Sequence, residues 1–227
     1  MSGRGGRPPV AALIAACAAL GGWGCWRTGE ATPGPARVTW AAYPESARAG
    51  ETFSFEFAGP VSPTACGRLD TAILAVEDGA IRLSARRSTF RAVCANQRIS
   101  FYEARALSIR RPGRYAVTTA QGLDLGTLVV TDSAPFTRIR ALGLGTVREV
   151  AGCRLFGPGW IGNQRVFALS GAPEAVRREA GSDRVVHVDG TVVGFTLCGW
   201  YGSRPTIRVD TAWATERRAS DWYRGDA

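Results

Sequence analysis

His187 is the chain's single histidine, and a Ser-His-Asp catalytic arrangement would depend on it. It lies between Val186 and Val188 in a segment that predicts a β-strand, so its side chain should point away from both valines. The G-x-S-x-G sequence that presents a serine nucleophile in many hydrolases does not occur. We therefore interpret His187 as a structural or surface residue and expect no catalytic role for it.

Two other catalytic arrangements have as little support in the sequence. Glycosidases use two carboxylates across a cleft, but the candidate acids are dispersed over turns and polar faces: Glu45, Glu51, Glu56, Asp70, Glu77 and Asp78. A phosphate loop of the G-x-x-x-x-G-K-[ST] type needs a lysine, and the chain has none. Together with His187, these patterns favour a protein that is not an enzyme.

Of the six cysteines, Cys66, Cys94, Cys153 and Cys198 lie beyond the N-terminal region. They form no C-x-x-C pair, and the chain has a single histidine that could join them as a metal ligand. Neither a zinc site nor another cofactor is therefore expected. In an exported protein, four such cysteines predict two disulfides. The spacing alone leaves all three possible pairings open.

Aromatic residues offer the best candidate binding site. Trp160, Trp200 and Tyr201 fall in or beside predicted loops, and Arg204 follows closely. Exposed aromatic rings stack on bases or sugar faces, and a nearby arginine such as Arg204 or Arg154 can hold an anion. The alternative is that these rings close the end of a hydrophobic core.

The N-terminus has the layout of an export signal. The residues from Val10 to Leu20 are all apolar and mostly small, while Arg4 and Arg7 precede them and no acid does. This run is shorter than the roughly 20 residues of a membrane-spanning helix, so an uncleaved anchor is the less favoured alternative. Export would place the mature chain where its cysteines can oxidise.

Within this segment, Ile14-Ala15-Ala16-Cys17 resembles the bacterial lipoprotein box, and a second candidate box ends at Cys25. The resemblance implies a lipid on the N-terminal cysteine and attachment to a membrane of the cell envelope, facing the periplasm or the cell surface. The alternative is ordinary signal cleavage after Ala18 or near Ala31, which would release a secreted protein. We favour Cys17.

The formal charge is +9, and all 28 basic residues are arginines. These arginines are scattered along the chain, with no run longer than two. A basic patch for nucleic acid would need clustering, so the sequence favours a mildly cationic surface over a nucleic-acid partner.

Strand patterns run through most of the chain after a linker at 26–36. Phe53, Phe55 and Phe57 alternate with polar residues, as in a half-buried strand. Asp78-Gly79 is a hairpin signal, and Gly59 and Pro60 predict the end of a strand. We expect one short helix at 173–180 and a flexible tail at 214–227. The protein should therefore be all-β.

Residues 37–132 resemble bacterial immunoglobulin-like domains, because a Pro112-Gly113 turn precedes a strand that opens with Tyr115. The resemblance implies a β-sandwich. Residues 143–213 resemble the small OB-like barrels of exported bacterial proteins, through the spacing of Cys153, Phe167-x-Leu169, Val186-x-Val188-x-Gly190, Cys198 and Ile207-x-Val209. This second resemblance implies a five-stranded barrel in which Cys153 meets Cys198, which leaves Cys66 to pair with Cys94.

These observations predict a bacterial cell-envelope lipoprotein with a binding or structural role. Its expected partners are the membrane, through the N-terminal lipid, and an envelope protein or glycan. The alternative is a secreted or periplasmic protein that binds an oligosaccharide or nucleic acid through loops of the OB-like domain.

Overall fold

The computed structural model describes residues 30–133, 138–158 and 166–222, and in these residues the fold is all-β, as predicted. One short helix, α1 (Glu174–Arg177), and two 3-10 turns, Gly199–Tyr201 and Ala219–Trp222, accompany the strands. The strands are β1 (Ala31–Ala36), β2 (Trp40–Pro44), β3 (Ser46–Arg48), β4 (Thr52–Ser62), β5 (Gly67–Glu77), β6 (Ala80–Phe90), β7 (Ile99–Ser108), β8 (Gly113–Thr119), β9 (Asp124–Thr131), β10 (Ile139–Val150), β11 (Cys153–Gly157), β12 (Phe167–Ser170), β13 (Arg184–Leu197) and β14 (Ser203–Arg218).

The first sheet has six strands, in the order β1-β6-β8-β9-β3, with β5 on the other side of β6. The β5–β6 hairpin turns at Asp78 and Gly79, whose φ angles are 33° and 80°. Positive φ at both central residues suits the right-handed twist of the strands, and the predicted hairpin is confirmed. The pairs β3–β9 and β6–β8 are parallel, so distant segments of the chain must meet to form them.

Strands β2, β4 and β7 of the second sheet pack against the first sheet, and the two sheets enclose a hydrophobic core. Phe53, Phe55 and Phe57 all point into this core and are buried, as their alternation predicts. The ring of Tyr43 stacks on that of Phe55, with centroids 5.1 Å apart. The Tyr43 hydroxyl donates to the Leu125 carbonyl oxygen, so the one polar atom of this pair is satisfied inside the core.

The second sheet continues beyond the sandwich because β2 also pairs with β10, in register from Ile139–Pro44 to Gly143–Trp40. From β10 the strands pair in the order β10-β13-β14-β12-β11, and β11 returns to pair with β10. We call these strands the five-stranded ring, and the β2–β10 pairing the seam. The two regions predicted as separate domains therefore share one continuous sheet.

Gly143 permits the close backbone approach at the seam. Its φ is +144°, and a Cβ there would lie 2.3 Å from the carbonyl oxygen of Thr39. The next residue, Leu144, donates its amide to that same oxygen at 2.7 Å. Only glycine combines this backbone angle with this approach, so Gly143 joins the ring to the sandwich.

Two predicted interruptions prove to be strands. Residues 31–36, which we expected to be linker, pair with β6 as β1, and β4 runs on through Gly59 and Pro60 to Ser62. Strand β1 lies at an edge of the sheet, and the amides of successive residues in a strand point to opposite sides, so those of Pro33 and Pro35 would share one side. Pro33 and Pro35 can therefore lack amides on the side that faces away from β6. Pairing with neighbouring strands therefore outweighs the local tendency of glycine and proline to end a strand.

Residues 214–222, which we expected to belong to a flexible tail, are part of the folded structure. Strand β14 continues to Arg218, and Ala219 and Trp222 are buried in a cluster with Leu144 and Val185. The Ala219 amide donates to the backbone carbonyl of Asp183 at 2.7 Å. This segment is rich in charged residues, so its sequence does not indicate that Ala219 and Trp222 are buried. Their burial depends on Leu144 and Val185, which are distant in the chain.

Candidate functional site

The end of the β13–β14 hairpin continues beyond the pairing of β13 with β10. Strand β13 pairs with β10 only as far as Val192, whereas it pairs with β14 up to Leu197–Ser203. A tight turn joins the two strands. In this turn the Cys198 amide donates to the Gly202 carbonyl and the Tyr201 amide donates to the Cys198 carbonyl, each at 3.0 Å. The hairpin end is thus a defined structure in its own right.

Three residues of the predicted binding site meet in this turn. Trp200 is 86% exposed, and its ring meets that of Tyr201 edge-on at 5.6 Å. The guanidinium of Arg204 lies 5.9 Å from the centre of the Tyr201 ring. Trp160 lies outside the described residues. Trp200 is therefore presented to solvent, while Tyr201 is half-buried beneath it.

The sequence analysis missed the aliphatic part of this surface. Along the end of β13, Val193, Phe195 and Leu197 are 51%, 73% and 77% exposed. The signal was present as alternation with Gly194 and Thr196, but alternation alone does not tell an outer face from an inner one. We call Val193, Phe195, Leu197 and Trp200 the apolar tip.

The Cys153–Cys198 disulfide fixes the base of the apolar tip. It joins the start of β11 to the residue where the turn begins, and the implied pairings Cys153–Cys198 and Cys66–Cys94 are both confirmed. The disulfide lies in a small core with Leu155, Val166 and Ala168, against which Tyr201 packs. The exposed rings therefore stand on a cross-linked base, which restricts the backbone that carries them.

Two disulfides indicate an oxidising, extracytoplasmic environment. In the described residues, no helix is both long and apolar enough to cross a membrane. Cys17 and Cys25, the candidate lipidation sites, lie outside these residues.

His187 is held in a different setting, on the side of the ring near the seam. Its ring stacks on Trp213 at 3.9 Å, and its Nδ1 atom is buried without a hydrogen-bond partner in the described part of the chain. Nearby, Arg140 donates two hydrogen bonds to Asp189, at 3.0 and 2.6 Å. With its face covered and Nδ1 buried, the imidazole is a packing element, in line with its interpretation from sequence.

This setting makes folding stability depend on pH. Burial lowers the pKa of His187 below its ordinary value of 6.5, more than the nearby Asp189 raises it. The unfolded chain therefore binds the proton more readily, and stability should fall as pH drops from about 7.5 through 6.5 and then level off. Because the chain has one histidine, His187→Gln should flatten the melting temperature between pH 7.5 and 5.5. An unchanged slope in that variant would show that another group titrates.

A cleft of about 420 Å³ lies beside the seam. Among the described residues, its lining includes Arg37 and Arg217, together with Thr39, Gln121 and Trp222, and no acidic residue. Such a lining is compatible with a small anion. In the part of the chain that the structure describes, no group of three histidine, cysteine or acidic side chains converges as metal ligands would.

The chain was compared with models of protein families, with curated proteins and with solved structures, and none of the three comparisons found a match.

Proposed function

We propose that the chain is an exported protein of the bacterial cell envelope, held at a membrane by a lipid on Cys17 or Cys25, and that it binds its partner without catalysis. The disulfides support export, because a reducing cytoplasm would keep such thiols reduced. The binding role rests on one observation, the apolar tip.

Exposing the apolar tip to water is unfavourable, which points to a role for it. Large apolar side chains that are exposed singly need no explanation, but a group of them on one element marks an interaction site. Here Phe195, Leu197 and Trp200 lie within one hairpin end and are each more than two-thirds exposed. The disulfide at Cys198 holds them in place.

The arrangement of strands supports the finer assignment of the fold. A closed ring of five strands, with a helix between its third and fourth, agrees with an OB-like barrel. In that fold the loop between the fourth and fifth strands is one of those that bind ligands. The turn that carries Trp200 is that loop here. The two facing sheets formed by β1–β9 likewise agree with an immunoglobulin-like sandwich.

The local chemistry supports a role other than catalysis. His187 stacks on Trp213 and its Nδ1 atom is buried, so that atom is not available to exchange a proton with a substrate. The apolar tip contributes apolar surface, and Arg204 beside Tyr201 adds one positive charge. Such a set can recognise a partner but has no nucleophile or proton donor.

Intact mass spectrometry of the mature protein, purified from its own membrane fraction, tests the anchor. We expect a chain that starts at Cys17 or Cys25, heavier by a diacylglyceryl and an acyl group and lighter by the four hydrogens lost in two disulfides. The matched variants Cys17→Ala and Cys25→Ala identify the modified residue, since only one of them should abolish the added mass.

A bare chain that starts after Ala18 or near Ala31 would contradict the anchor. The second candidate function would then replace the first: the chain would be a freely exported protein that binds an oligosaccharide. The observation that favours it is the T-shaped pair of Trp200 and Tyr201 beside Arg204, an arrangement suited to stacking on a sugar and holding a polar group.

A further inference from the structure

We infer that the apolar tip inserts into the interface of an anionic lipid bilayer, so that the membrane itself is the partner of the β13–β14 hairpin. This inference rests on the proposed function, because it assumes that the protein works at a membrane. It goes further by assigning a second membrane contact, made by the folded part of the chain and independent of the N-terminal lipid.

The side chains at the tip have the composition of an interfacial anchor. Val193, Phe195 and Leu197 are aliphatic or aromatic with no polar atom, and Trp200 adds an amphipathic ring. Tryptophan is enriched at the level of the lipid headgroups, where its ring is apolar and its N–H meets water. Binding of such a surface grows with the apolar area that it buries in the headgroup region.

The charge around the tip is complementary to anionic lipids. Between Asp189 and Asp210 the chain has no acidic residue, whereas it has Arg204 and Arg208. Arg208 is exposed, while Arg204 is partly buried, with its Nε atom buried and without a hydrogen-bond partner in the described part of the chain. Basic residues near an anionic membrane surface are attracted to it. Arg154 follows Cys153, but its Nε atom lies 3.9 Å from the Glu149 carboxylate. The opposite charge of Glu149 reduces what Arg154 adds to the attraction.

The small size and aliphatic character of the apolar tip argue against a protein or a sugar as its partner. A stable protein interface takes about 20–30 residues from each side, far more than the apolar tip provides. A sugar-binding platform uses flat rings edged by polar groups, whereas Val193 and Leu197 are aliphatic and lie beside Phe195. A fluid layer of acyl chains accepts all of these side chains without a matching shape.

The backbone limits the depth of insertion. Residues 193–197 pair with β14 on one side only, in the part of the chain that the structure describes. Unpaired backbone groups are costly in the hydrocarbon core but remain hydrated among the headgroups. We therefore place the hairpin end at headgroup depth, with its side chains reaching the start of the acyl region.

Vesicle flotation of the full chain tests this inference. All proteins carry Cys17→Ala and Cys25→Ala, so that no lipid is attached and the N-terminal segment is the same in each. The tip variant Phe195→Ser/Leu197→Ser/Trp200→Ala should bind vesicles of equal phosphatidylglycerol and phosphatidylcholine at least tenfold more weakly. The matched control is Ile73→Ser/Val76→Ser on β5, whose side chains are 47% and 40% exposed and should not matter.

Amide hydrogen exchange locates the contact. We expect residues 193–203 to be protected by the mixed vesicles, and less so by phosphatidylcholine alone. Equal vesicle binding by the tip variant and its control, or no protection at 193–203, would overturn the inference. Protection by soluble cell-wall oligosaccharides in place of vesicles would overturn it in favour of a sugar site.

The two proposals fail independently. The intact mass decides whether a lipid is attached to Cys17 or Cys25, whatever the vesicles show. The vesicle experiment decides whether the apolar tip binds lipid, whatever the mass shows.

Discussion

Replacing both Cys153 and Cys198 by alanine should lower the free energy of unfolding by about 4 kcal/mol. This follows from the sequence separation of 45 residues, because the disulfide restricts the unfolded chain more as the closed loop lengthens. Alanine is chosen because Cys198 is fully buried and a serine hydroxyl there would lack a partner. Urea denaturation followed by circular dichroism measures the change.

Removing this disulfide should also loosen the turn locally. Without its covalent base, the turn that carries Trp200 loses the link to β11, and the amides of 198–202 should exchange faster. The matched control is Cys66→Ala/Cys94→Ala, whose separation of 28 residues predicts a loss of about 3.5 kcal/mol. It should leave exchange in the turn unchanged. A loss below about 1 kcal/mol on removing Cys153–Cys198 would show that packing alone holds the turn.

Trp40→Ala should cost about 3–5 kcal/mol, the range for removing a large aromatic side chain from a core. Trp40 is 0% exposed and belongs to β2, the strand of the seam. Its ring lies 4.9 Å from that of Phe167 in the five-stranded ring and 6.3 Å from that of Tyr102 in β7. The cavity would therefore open where the sandwich meets the ring. Guanidinium denaturation measures the loss.

Trp40→Phe separates the packing from the indole N–H. The Nε1 atom of Trp40 is buried and has no hydrogen-bond partner among the described residues. Phenylalanine keeps an aromatic ring and removes that unpaired donor, so it should cost less than half as much as alanine. Trp200→Ala is the surface control, expected to change stability by about 0.5 kcal/mol or less. A Trp40→Ala variant as stable as this control would mean that the seam does not depend on Trp40.

Local patterns predicted the parts of the fold that depend on neighbouring residues. The alternation of Phe53, Phe55 and Phe57 predicted a buried face because successive strand residues point to opposite sides. Asp78-Gly79 predicted a hairpin because its conformation is decided within the turn itself. The candidate binding residues Trp200, Tyr201 and Arg204 were found for the same reason, since they are close in sequence.

By itself, the sequence determined the all-β class and the placement of Trp200 in a loop, since both follow from short-range residue patterns; its resemblances also implied the two disulfide pairs. Only the tertiary structure decided that β2 and β10 form a seam, that residues 31–36 are a strand and that Trp222 is buried. Each of these depends on a partner far away in the chain, and local propensity carries no information about which distant edge a strand will meet. The exposure of Phe195 and Leu197 was decided in the same way, because a strand shows which residues alternate but only its neighbours determine which face is covered.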